Sequence, residues 1–147
     1  MSDVDRAVEM VEATIRALGV DPATAKIPGD AKTVAYALRR GSARVVVAVS
    51  RGDGTHGTLR VLAPVVRAPD AGKEAAVFRR LLELNAQELS GAAFGLVGDE
   101  VVAVVERSTT NLDASEVEAN VKNIGRVADR WDDVLAKEFG LKRSSDA

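Results

Sequence analysis

Three aspartates, Asp129, Asp132 and Asp133, crowd one short stretch near the end of the chain, and carboxylates so close are raw material for a metal site or an acid–base pair. Arg126, Arg130 and Lys137 stand three or four residues away, the spacing at which ion pairs form along a helix. The expectation is therefore a solvated ion-pair face. The chain has one histidine, His56, and no cysteine, so neither a Ser/His/Asp set nor thiolate chemistry can be assembled with conviction. His56 sits among glycines in a turn. The Gly52-Asp53-Gly54 run lies between two strands rather than before a helix, which is the wrong setting for a phosphate cradle. Arg51-Gly52-Asp53 reads as a chance tripeptide. No catalytic residue, metal ligand or cofactor is expected.

Charge is more informative. Between Lys32 and Arg67 there are seven basic residues and one acidic residue, Asp53, although the whole chain carries a net charge of only -2. Arg39, Arg40, Arg44, Arg51, Arg60 and Arg67 are candidate anion-facing residues. Two readings of them stand: edge-protecting charges on a sheet, or a surface for an anionic partner. Single-strand nucleic-acid binders add stacking aromatics, and this stretch offers only Tyr36, so an acidic polypeptide fits better than nucleic acid.

The elements that must carry these residues follow from periodicity. Val4, Val8, Val11, Ile15 and Leu18 make one helical stripe behind Ser2, and Gly19 ends it. Residues 20–30 hold Pro22, Pro28 and Gly29 and read as a connecting loop. Strands are expected over 32–39, 43–50 and 58–66, the last an edge strand near its end because of Pro64. A helix over 73–89 follows, then a hairpin of 92–97 and 101–106 around Gly98-Asp99. The last helix runs over 114–139, opened by Asp113 with Glu116 and stopped by Gly140, with Val117, Val121, Ile124, Ala128, Trp131 and Leu135 as its stripe. Residues 1–140 thus form a single α+β domain of order α-β-β-β-α-β-β-α, an antiparallel sheet with three packing helices, and 141–147 a flexible tail. MSDVDRAVEM has neither the basic lead nor the apolar run of a signal peptide, so a bacterial cytoplasmic location is expected, with no membrane partner.

Two strands, Val45–Val49 and Val101–Val105, are apolar at both parities, which calls for cover on both sheet faces. The helices could fold onto both sides, or a second chain could supply the cover. The helix over 73–89 is also broadly apolar: at about 100° per residue, Leu84, Val77, Leu81, Phe78, Leu89 and Leu82 spread over roughly 160°. Asn85 falls inside that arc, either as a cap for a nearby backbone group or as a polar register pin between two copies.

The run LeuLeuGluLeuAsnAla (81–86), the segment AlaAlaPheGlyLeuValGlyAspGluValValAlaVal (92–104) and AlaAspArgTrpAspAsp (128–133) in a long last helix resemble the YbjN family and the type III secretion chaperones of the Tir-chaperone kind. As architecture the resemblance covers nearly the whole chain; as motif it is confined to about residues 75–140. It implies a homodimer built around the second long helix, with Val77, Phe78, Leu81, Leu84 and Asn85 as candidate dimer contacts, and no enzymatic activity. It also implies a client protein held along the sheet, with Val46, Ala48, Leu62 and Val66 as candidate client contacts. Secretion chaperones tend to be clearly acidic. The basic first sheet segment departs from that and points to a general YbjN-like adaptor, a group associated with stress or sensory roles. The competing readings are a nucleic-acid-associated stress regulator using the sheet arginines, and a small-ligand sensor that no residue selects.

Overall fold

The structure, a computed structural model, describes residues 1–53, 56–87 and 89–146. Gly54, Thr55, Glu88 and Ala147 lie outside it, so part of the GlyAspGly turn and one residue each of the helix expected over 73–89 and of the expected tail fall beyond description.

Helix α1 (Asp3–Ala17) starts at a capping box in which Ser2 and Asp5 satisfy each other's backbone amides. A single turn, α2 (Pro22–Ala25), leads into β1 (Lys26–Asp30). Strands β2 (Thr33–Arg40), β3 (Ala43–Arg51) and β4 (Gly57–Arg67) follow, then α3 (Glu74–Gln87), β5 (Ala93–Val97), β6 (Glu100–Ser108) and α4 (Ala114–Phe139). The α+β class and the three long helices are as the sequence predicts. Among the described residues the strands form one antiparallel sheet of order β1-β2-β3-β4-β6-β5.

Two departures have plain causes. β1 lies in the stretch expected as a loop; it pairs with β2 through a register break and sits at the sheet edge, where Pro28 costs no ladder bond to a further neighbour. β4 is not an edge strand. It lies between β3 and β6, but its pairing with β3 ends at Leu62, so Pro64 meets a partner only on the β6 side, beside a bulge at Pro64/Val66.

Register assigns the faces. Tyr36, Val47, Val61 and Val105 stand opposite one another and point to the side where α1 and α4 pack. Val45, Val47, Val49, Leu59 and Val61 are essentially inaccessible there, beneath Val11 and Ile15 of α1 and Ile124, Ala128 and Leu135 of α4. Gly125 permits the close approach of α4, since a Cβ at that position would lie 2.7 Å from the Cβ of Arg40. The long last helix starts at the expected Asp113–Glu116 capping box and ends at Gly140 in the left-handed region. Lys73 then donates to the orphan carbonyl of Phe139 at 2.9 Å.

The C-terminal segment does not hang free. It lies against the part of β4 that β3 leaves unpaired: the Arg67 amide donates to the Lys142 carbonyl at 2.7 Å, and Arg143 bridges to Val66. Arg143 is further tied to Asp133 of α4, so an unused strand end and one carboxylate together hold a segment whose composition suggests only a solvated tail, and Asp146 pairs with Arg143 within it.

Candidate functional site

The opposite face of the sheet carries no long helix. Register places Ala37 opposite Val46, Val46 opposite Leu62, Leu62 opposite Val104 and Val104 opposite Ala93. One aliphatic row therefore crosses five strands, and all five of these side chains are half-buried rather than sealed. At about 4.8 Å per strand the row runs for roughly 19 Å. Ala48 lies in the next row, with Ala35 on one side and Arg60 on the other. Of the four residues singled out for client contact, Val46, Ala48 and Leu62 share this face. Val66 does not join them: beyond the bulge it stands opposite Val101 and is 0% exposed in the hydrophobic core.

The arginines separate into groups. Arg39 and Arg44 stand directly opposite each other on β2 and β3, and with Arg67 they line a basin of about 280 Å³ that also includes Ser42, Glu100 and Ser144. Arg60 faces Glu106 across the β4–β6 ladder. Arg40 lies elsewhere, against Gly125 and beside Asp129. Arg51 is engaged with Asp5 at 3.0 Å.

A second apolar surface lies at the β5 edge. Phe78, Leu81, Leu82 and Asn85 of α3 and Phe94, Gly95 and Leu96 of β5 line a shallow cavity of about 240 Å³. Leu82 is 69% and Leu96 53% exposed, large values for leucine. Of the candidate dimer contacts, Val77, Leu81 and Leu84 are buried within the single chain and Phe78 is half-buried. Asn85 is occupied locally: the Phe94 amide donates to its Oδ1 at 2.7 Å, and its Nδ2 donates to the Phe94 carbonyl at 3.3 Å. The carboxamide thus caps a backbone group, the first of the two readings the sequence left open, and takes the place of a neighbouring strand's peptide at one position of an edge strand.

The aspartate cluster also has an occupation other than the expected ion-pair face. The Ser42 amide donates to Asp129 at 2.8 Å, and the Ser42 hydroxyl lies 2.7 Å from Asp129 and 2.6 Å from the buried Asp132. These two carboxylates clamp the β2–β3 turn to α4, while Asp133 pairs with Arg143. The Ser42 hydrogen bonds, the backbone one first, hold the Asp129 carboxyl below the usual carboxylate range. Gly41, at φ +60°, lets the turn pass with a Cβ-sized gap of only 2.6 Å to that carboxylate. The Arg130 guanidinium lies 5.0 Å from the centre of the Trp131 ring. Among the described residues no group of histidine and carboxylates is placed to hold a metal ion. His56 hydrogen-bonds Thr110 and Asp3 at an exposed turn. Burial and a hydrogen bond to Glu12 push the Tyr36 phenol far up, so it serves as a neutral strut between β2 and α1.

Helices on one side of an antiparallel sheet, with aliphatic side chains left on the other, define an α+β fold class. The chain belongs to the family described as T3SS (YopN, CesT) and YbjN peptide-binding chaperone 1, which matches residues 5–146. The fold is shared with a chain in the crystal structure of the ExsC–ExsE complex, at TM-score 0.63 and 17% identity over 92% of this chain and 97% of that one. It is also shared with a chain in the structure of the HopA1–SchA chaperone–effector complex, at TM-score 0.50 and 13% identity over 84% and 93%. Comparison with curated proteins finds no match. The sequence resemblance to YbjN proteins and secretion chaperones is thereby established at the level of family and fold.

Proposed function

We propose that this chain is a non-enzymatic, homodimeric chaperone or adaptor that holds an extended segment of a client protein against the helix-free sheet face. The observation that carries the reading is the Ala37–Val46–Leu62–Val104–Ala93 row, five half-buried aliphatic side chains with no helix over them. Apolar side chains contribute about 25 cal/mol per Å² when taken out of water, so such a row gains from a covering chain. Peptide-binding membership and a structural relative described as a chaperone in complex with an effector support the same direction.

The dimer contact falls to what α3 and β5 leave uncovered. Leu82, Leu96, Val97 and the open side of Phe78 form that patch. Val77, Leu81 and Leu84 support it from beneath, and Asn85 fixes the strand edge. Two copies meeting there would cover one another's patch by two-fold symmetry.

The test is site-specific photo-crosslinking from position 62, identification of the captured segment, and titration of that segment as a synthetic peptide. Loss of binding in Leu62→Asp and Val46→Asp, with the fold retained, is expected. Equal affinity in both variants overturns the assignment of the face. Light scattering at micromolar concentration is expected to give twice the 15.5 kDa subunit mass, and Leu82→Asp to return the subunit mass. A monomeric wild type removes the dimer from the proposal.

A further inference from the structure

The arginines of the molecule are unequally treated. Arg6, Arg16, Arg51, Arg79, Arg80, Arg107 and Arg143 are each in an ion pair. Arg39, Arg44 and Arg67 have no carboxylate within salt-bridge distance among the described residues, although Glu100 lines the same basin. Arg39 and Arg44 are moreover direct cross-strand partners, and like charges placed opposite one another destabilise a ladder. The Arg39 guanidinium makes only a long contact to the Ser42 carbonyl, 3.4 Å. Among the described residues, the C-terminal segment brings Ser144 and Ser145 to the wall and no carboxylate, since that of Asp146 is held by its own neighbour Arg143 at 2.9 Å.

We infer that the Arg39–Arg44–Arg67 basin is an acid-binding subsite that receives a glutamate or aspartate side chain of an extended polypeptide lying on the aliphatic row. The inference rests on the client-binding reading above and deepens it. Arg44 is two residues from Val46 on the same strand, and Arg39 two from Ala37, so both basic side chains leave the same face as the row, about 7 Å along the strands from it. Three guanidiniums against one glutamate give the basin the sign a carboxylate requires, and guanidinium–carboxylate pairs are among the stronger charge-assisted hydrogen bonds. A polypeptide is favoured over nucleic acid by what accompanies the charge. The neighbouring residues are alanine, valine and leucine, and Tyr36, the aromatic of this basic region, is 1% exposed and turned to the helices, so no ring is offered for a base to stack on.

The experiment is fluorescence anisotropy with the full chain and three labelled probes: a peptide of alternating glutamate and valine, its glutamine–valine counterpart, and a thymidine oligonucleotide of similar length. The acidic peptide is expected to bind about tenfold tighter than the neutral one at low salt, a gap that narrows as salt rises. The double variant Arg39→Gln/Arg44→Gln is expected to close the gap, whereas Arg16→Gln, with circular dichroism confirming the fold of both, leaves it open. Equal binding of the two peptides, or a gap that survives in the double variant, overturns the subsite and leaves the apolar client face standing. Binding of neither peptide overturns the client face along with it. Tighter binding of the oligonucleotide, lost in the double variant, overturns the acidic polypeptide in favour of nucleic acid.

Discussion

Val47 and Ala48 are neighbours on β3 and meet opposite fates. Val47 lies beneath α1 and α4 and is inaccessible, whereas Ala48 looks out from the helix-free side and remains partly in water. The contrast continues along β4, where Leu59, Val61 and Ala63 are sealed and Arg60 and Leu62 are not. Both sides are rich in aliphatic residues, so hydrophobicity alone does not distinguish core from working surface. What distinguishes them is the company: a helix stripe of matching shape over one side, and arginines beside the row on the other. A sheet that needed only to be stable would carry polar residues on its open side.

The comparison is broken most directly by truncating one leucine from each side of the same strand. Leu59→Ala is expected to cost about 2–5 kcal/mol, the range for deleting a fully buried leucine side chain. Leu62→Ala, three residues on, is expected to cost under about 1 kcal/mol while weakening the captured peptide. Urea unfolding of the two variants measures this. Equal losses would mean that the open side contributes to folding as the covered side does, and that its aliphatic row needs no client to explain it.

Asn85 sharpens the same contrast at the sheet edge. Its replacement by alanine leaves the amide and carbonyl of Phe94 without their partner, and a part-buried unpaired peptide group costs about 1–3 kcal/mol. The expected outcome for Asn85→Ala is a stability loss in that range, together with faster hydrogen exchange at the Phe94 amide. Exchange unchanged at Phe94 would show that the carboxamide does not guard the strand.

What the sequence disclosed, and what it withheld, follows the reach of the interactions. Alternation revealed the five strands of the two hairpin systems, and the spacing of Val117, Val121, Ile124, Ala128, Trp131 and Leu135 revealed α4 and its buried side, because those signals are local. β1 was hidden because Pro28 and Gly29 mark a loop anywhere except at a sheet edge. The role of Asn85 depends on a strand nine residues on, and that of Asp129 on a serine 87 residues back, so no window around either residue contains the answer. The broad apolar arc of α3 was legible as an excess, but its division was not: Val77, Leu81 and Leu84 go inward, and Leu82 stays in water. Three of the four residues expected to touch a client share one face because period-two alternation is reliable within β3 and β4. Val66 departs because the bulge beside Pro64 shifts the phase of β4 just before it.

The C-terminal segment tests whether the open end of β4 matters to the covered or the open side. Deleting residues 141–147 removes the Arg67–Lys142 hydrogen bond and the bridge from Arg143 to Val66. The expected loss is about 1 kcal/mol, the net worth of a typical intramolecular hydrogen bond, with helical circular dichroism unchanged. A larger loss, with melting of the helices, would place the segment in the core of the fold rather than at the margin of the arginine basin.

The smallest effect concerns the turn that ties the two sides together. Asp129 on α4 holds Ser42, which follows Arg39 by three residues and precedes Arg44 by two, so the clamp fixes the turn that separates the paired arginines. Its carboxyl is depressed in the folded protein, which means that near its ordinary value of 3.8 the folded state binds fewer protons than the unfolded one. The stabilisation is therefore present at neutral pH and is lost as pH falls below that value through the depressed one. Because the group is exposed, Asp129→Asn is expected to cost only a few tenths of a kcal/mol at pH 6 and nothing measurable at pH 3. Urea midpoints of wild type and variant at the two pH values decide it. A difference that persists at pH 3 would show that the clamp holds by shape rather than by charge, and would leave the spacing of Arg39 and Arg44 insensitive to protonation of α4.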